Sequence, residues 1–85
     1  MKIELLNSEG PILVGESVKT NGITTFYLFF HSKKKNRIEM NMNELVQFIR
    51  GDIGIKDFEG KVITYPEFSD GMKPSISKLE EFINS

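Results

Sequence analysis

Residues 23–31, Ile-Thr-Thr-Phe-Tyr-Leu-Phe-Phe-His, hold four of the nine aromatic residues of the chain and its longest apolar run. A run this short, opened by threonines and dense in aromatics, is a strand and not a helix. Side chains alternate along a strand, so Phe26, Leu28 and Phe30 share one face while Tyr27, Phe29 and His31 share the other. A strand that is apolar on both faces belongs in the middle of a sheet, where both faces are in demand for packing. The constraint on the fold is therefore how much covering material the other residues supply.

That supply is small. Eighty-five residues make one domain, residues 1–85, close to the size below which chains need disulfides or metals to fold, and there is no cysteine to provide either. The first seven residues lack the continuous apolar core of a signal peptide, and the five apolar residues from Phe26 to Phe30 are far too few to span a membrane. The expectation is a cytoplasmic protein with no membrane association.

Lys2–Asn7 reads as a first strand, followed by turn residues Ser8–Pro11 and a second strand over 12–19. Asn21-Gly22 then makes a hairpin with the central strand. A two-residue turn pairs Val14 with Phe29 and Glu16 with Tyr27, which splits the apolar residues between both faces. A three-residue loop, Thr20-Asn21-Gly22, pairs Val14 with Leu28 and Ile12 with Phe30. It gathers Ile12, Val14, Val18, Phe26, Leu28 and Phe30 on one face, so hydrophobic patterning favours the longer loop. A second hairpin with Lys33–Lys35 at its tip extends that face by one strand, Arg37–Met42. Its pairs are Phe30 with Ile38, Leu28 with Met40 and Phe26 with Met42, and Tyr27 then lies beside Asn41 and Phe29 beside Glu39.

A short helix follows, capped by Asn41 or Asn43, with Leu45, Phe48 and Ile49 as its apolar stripe and Gly51 as its stop. Residues 52–60 form a loop over the body or the first arm of a small hairpin. Lys61–Tyr65 is a late strand that adds to the sheet. Ser77 and Glu80 have capping-box spacing for a last helix over 75–84, whose stripe is Ile76, Leu79, Phe82 and Ile83. The fold class is α+β: an antiparallel meander of about four strands, one or two later strands, and two short helices on one face. The expected core is Ile12, Val14, Phe26, Leu28, Phe30, Ile38 and Met40, with Leu45, Phe48, Leu79, Phe82 and Ile83 packed on it.

Catalytic and metal chemistry find little to work with. The chain has one histidine, no cysteine, and neither a nucleophile-elbow nor a His-Glu-x-x-His pattern. His31 next to Arg37 has no orienting carboxylate nearer than Glu39, and a strand-end histidine needs no catalytic role. Asp52, Asp57 and Glu59 lack the alternating oxygen ligands of a calcium loop, and zinc would need more nitrogen or sulfur donors than exist here. The reading is a non-enzymatic protein without cofactor or metal.

Two features have binding content. Lys33, Lys34, Lys35 and Arg37 concentrate four of the eleven basic residues at one hairpin tip, in a chain whose net charge is −1. Such a tip contacts phosphates or an acidic partner, or it is a solvated turn that guards the sheet. The second feature is the row Tyr27, Phe29 and His31, set among Arg37, Glu39, Asn41, Ser17 and Lys19. If it is open, it is the centre of an interface with a protein partner or with a second copy. The alternative is a single-stranded nucleic-acid binder, with the aromatics stacking on bases and the basic tip gripping phosphates, against which the acidic overall balance counts. If residues 52–58 or the last helix fold across it, the row is core.

Overall fold

The computed structural model describes residues 1–7, 12–30, 36–56 and 59–85. Four antiparallel strands, β1 (Lys2–Leu6), β2 (Leu13–Thr20), β3 (Ile23–Phe30) and β4 (Ile38–Met40), lie side by side in chain order. Helix α1 (Met42–Arg50) follows directly, and β5 (Ile55–Lys56) and β6 (Val62–Ile63) then make a small hairpin of their own. Two 3-10 turns, Tyr65–Glu67 and Asp70–Met72, lead to the last helix, α2 (Ile76–Ile83). The late strand expected to join the main sheet instead pairs Ile63 with Ile55 and Val62 with Lys56. Of the two readings of residues 52–60, the hairpin arm is the one adopted.

The central hairpin turns on Asn21-Gly22 alone, and this corrects the expected register. Thr20 pairs with Ile23, Glu16 with Tyr27, Gly15 with Leu28 and Val14 with Phe29. Both turn residues have positive φ, 53° at Asn21 and 81° at Gly22, as a two-residue turn matched to the twist of its strands requires. The one-residue difference exchanges the faces of β2. Leu13, Gly15 and Ser17 lie on the side of Phe26, Leu28 and Phe30, and Val14, Glu16 and Val18 lie on the other.

Gly15 explains why the polar-looking half of β2 faces the core. A Cβ there would stand 2.9 Å from Cζ of Phe82 and 3.1 Å from Cδ1 of Leu5. The missing side chain is the seat of the Phe82 ring, which also meets the Phe26 ring edge-on at 5.2 Å. Counting apolar side chains undervalues a glycine whose function is to leave room for an aromatic ring.

The β3–β4 pairing differs from expectation by two residues. Phe26 pairs with Met40, Tyr27 with Glu39 and Leu28 with Ile38. A shift of two preserves the faces, so Ile38 and Met40 still point to the core, but Glu39 replaces Asn41 beside Tyr27. Asn41 is released to cap α1: its side chain accepts from the Glu44 amide at 2.9 Å, and its own amide donates to Glu44 Oε1 at 3.1 Å. Gly51, with φ of 87°, ends the helix in the left-handed conformation. The last helix is capped two residues earlier than its Ser77/Glu80 spacing suggests, by Ser75, whose hydroxyl accepts from the Lys78 amide. Ile76, expected in the inward stripe, is the first helical residue and stands in solvent at 76 % exposure, which leaves Leu79, Phe82 and Ile83 as that stripe.

The core lies between the sheet and the helices. Leu5, Leu13, Phe26, Leu28, Leu45, Phe48 and Phe82 are fully buried, joined by Ile55 from the small hairpin and by Tyr65. Tyr65 packs on Phe48 at 5.4 Å and donates its hydroxyl proton to the Leu5 carbonyl at 2.9 Å, tying the edge strand β1 to the second half of the chain. Burial pushes its phenol up to about 12.

Candidate interaction surface

The opposite face of the sheet is built by register. Lys2, Glu16, Tyr27 and Glu39 form one row across all four strands, and Glu4, Val14 and Phe29 form the next. Val18 and Thr25 continue the face toward the turn. Both helices and the β5–β6 hairpin contribute their buried residues to the core on the other side, and among the described residues no element lies over this face.

Its centre is Tyr27, half-buried, with the Arg37 guanidinium 4.3 Å from the ring centroid. A cation over an aromatic ring at this distance contributes about 0.5–1 kcal/mol at an exposed site and holds both side chains in place. The cross-strand neighbours of Tyr27 in register are Glu16 on β2 and Glu39 on β4. Phe29 has a different fate. Its ring is 2 % exposed although it points away from the helices, so it fills the face instead of offering itself. A shallow depression of about 270 Å³ beside it is bordered by Lys2, Ile3, Glu4 and Val14.

Tyr27, Arg37 and Glu39 are thus brought together, with Glu39 opposite Tyr27 instead of the Asn41 expected there and not beside Phe29 as expected, and Phe29 is buried on the same face. Asn41 is not part of the group, being spent on the α1 cap. Ser17 is on the core side, where its hydroxyl meets that of Ser85 at 2.7 Å. His31, Lys33, Lys34 and Lys35 lie outside the described residues, as do Asp57 and Phe58. Lys2, Glu16 and Val18 are the members that patterning missed. The signal for them was the Asn-Gly pair itself, whose preference for a two-residue turn sets their side of the sheet.

This arrangement does not make a stacking platform. Ring–ring contacts among the described residues include Phe26 with Phe82 and Phe48 with Tyr65, but none joins Tyr27 to Phe29. Arg37 occupies a face of the Tyr27 ring where a base would lie, and the Phe29 ring is shut away. Nor do three His, Cys, Asp or Glu side chains converge as a metal site needs, among the described residues. No helix among them is long and apolar enough to cross a membrane. What the face offers is alternating charge around an ordered Tyr–Arg pair with a half-exposed valine edge. Comparisons with protein-family models, with characterised proteins and with solved structures return no match to this chain.

Proposed function

We propose that this small α+β domain is a non-enzymatic interaction module that binds a protein chain, its own or another, through the sheet face centred on Tyr27 and Arg37. The observation that carries the reading is the one-sidedness of the molecule: every covering element among the described residues packs on the Leu28 side. Tyrosine and arginine are the side chains that dominate protein interfaces, and their mutual contact lowers the entropy lost on binding. Val18, 38 % exposed, adds apolar area next to them. The buried Phe29 and the guanidinium over Tyr27 weigh against base stacking, so the nucleic-acid reading is not carried forward.

A photo-crosslinking side chain tests the proposal by position. Placed at Val18, it should trap a protein chain when the domain is irradiated in its native cell. Placed at Ile76, which is still more exposed but on the helix side, it should trap none. Adducts from Ile76 and none from Val18 would put the working surface on the wrong side of the molecule.

A further inference from the structure

The edge of β1 has the hydrogen-bonding groups, the charges and the symmetry to join a second copy of itself. The Met1 ammonium donates to the Ser17 carbonyl at 3.2 Å, and the Ser17 amide donates to the Met1 carbonyl at 2.8 Å. In an antiparallel ladder such doubly bonded pairs alternate with unbonded ones. Met1 and Ile3 therefore address β2, and the amides and carbonyls of Lys2 and Glu4 point outward from the sheet. Beyond them the edge is closed, because Tyr65 donates to the Leu5 carbonyl and the Asn7 amide donates to the Met72 carbonyl. Alongside the open stretch runs a groove of about 440 Å³, with residues 71–74 and the first turns of α2 on its far bank.

The geometry points to an antiparallel pairing of β1 with β1 of a second copy about a two-fold axis through Ile3. Lys2 then faces the partner's Glu4, and Glu4 faces the partner's Lys2. Both are residues whose backbone groups point outward, so each pair exchanges two hydrogen bonds as well as opposite charges. Neither Lys2 nor Glu4 has an ion-pair partner among the described residues, so their charges are available. Closed two-fold symmetry limits the assembly to two copies.

The other edge of the sheet is unsuited to the same use. β4 has three residues, and a two-fold pairing centred on it would set Glu39 against its own copy, a like-charge contact that disfavours it. Joining the β1 edges also brings the two Tyr27–Arg37 faces into one plane. Four strands spaced about 4.8 Å apart, of up to eight residues at about 3.3 Å each, give a footprint of roughly 500 Å². A standard interface needs about 800 Å² per partner, which one face does not reach and two together do. The edge pairing does not depend on what the face binds, and the two are tested by different residues.

The test is the mass in solution, by sedimentation equilibrium over micromolar to millimolar protein at low salt, on five forms of the full chain. The unaltered chain should show a reversible monomer–dimer equilibrium. Lys2→Glu sets carboxylate against carboxylate at both pairs and Glu4→Lys sets ammonium against ammonium, so each should weaken dimerisation at least about tenfold. An equimolar mixture of these two variants should form a heterodimer, since every facing pair is again of opposite sign, and the double variant Lys2→Glu/Glu4→Lys should pair with itself. Circular dichroism melts confirm that each variant folds. A chain that stays monomeric throughout overturns the inference, as does a dimer that survives both single reversals. A dimer lost in Val18→Lys and kept in Lys2→Glu would also overturn it, while leaving the sheet-face reading in place.

Discussion

Phe29 projects from the middle of a sheet face that no described helix covers, yet its ring is 2 % exposed. A ring so placed contributes to folding as core residues do. Phe29→Ala should cost about 3–5 kcal/mol in a denaturant melt, with a midpoint that does not depend on protein concentration. A cost near zero would mean that the ring is offered to solvent. Tyr65 is the other residue whose environment makes a measurable claim. Its phenol ionises near 10 in the unfolded chain and at about 12 in the fold. Stability from this group is complete below pH 10 and is lost as the pH rises through about 12, because the unfolded chain releases its proton first. The loss amounts to roughly 2–3 kcal/mol at most. In Tyr65→Phe that alkaline slope should vanish, leaving a smaller, pH-independent deficit from the hydrogen bond to Leu5.

At the scale of elements, the central hairpin shows how a local signal overrides a global pattern. Gathering the apolar residues on one face favours a three-residue loop, and two positions of β2 oppose it. Gly15 contributes no apolar atoms of its own but makes the space for Phe82, and Val14 is accommodated on the outer face beside Phe29. The Asn21-Gly22 turn carried the right information. The register can be checked in solution by comparing neighbours. Leu13 is fully buried and Ile12 is not, so Leu13→Ala should cost about 2–5 kcal/mol and Ile12→Ala markedly less. The reverse order would restore the longer loop. Other elements were legible because their signals are short-ranged: Asn41 is the one of the two caps read that is used, and the Gly51 stop and the Leu45–Phe48 stripe stand as read. The start of α2 agrees with the range read for it, but its cap is Ser75 and not the Ser77 of the capping-box spacing, since both offer a hydroxyl.

For the molecule as a whole, one long strand apolar on both faces calls for cover on both sides. Helices, hairpin and Tyr65 bury one face, and on the other Phe29 is buried while Val18 and Tyr27 keep exposed area. The four-stranded meander with two helices was therefore readable, because it follows from strand order and stripe periodicity. The composition of the open face was readable only in part, because it rests on two registers. The central claim is that this face is free in the isolated molecule and is the one that is used. Relaxation of side-chain protons by a neutral, water-soluble paramagnetic chelate measures it directly. In dilute protein the Val18 methyl and Tyr27 ring protons should relax strongly, while those of Phe29 and Leu28 do not. Val18 and Tyr27 protons as shielded as those of Leu28 in dilute protein would mean that the face is already covered by the chain itself, and the account would be wrong.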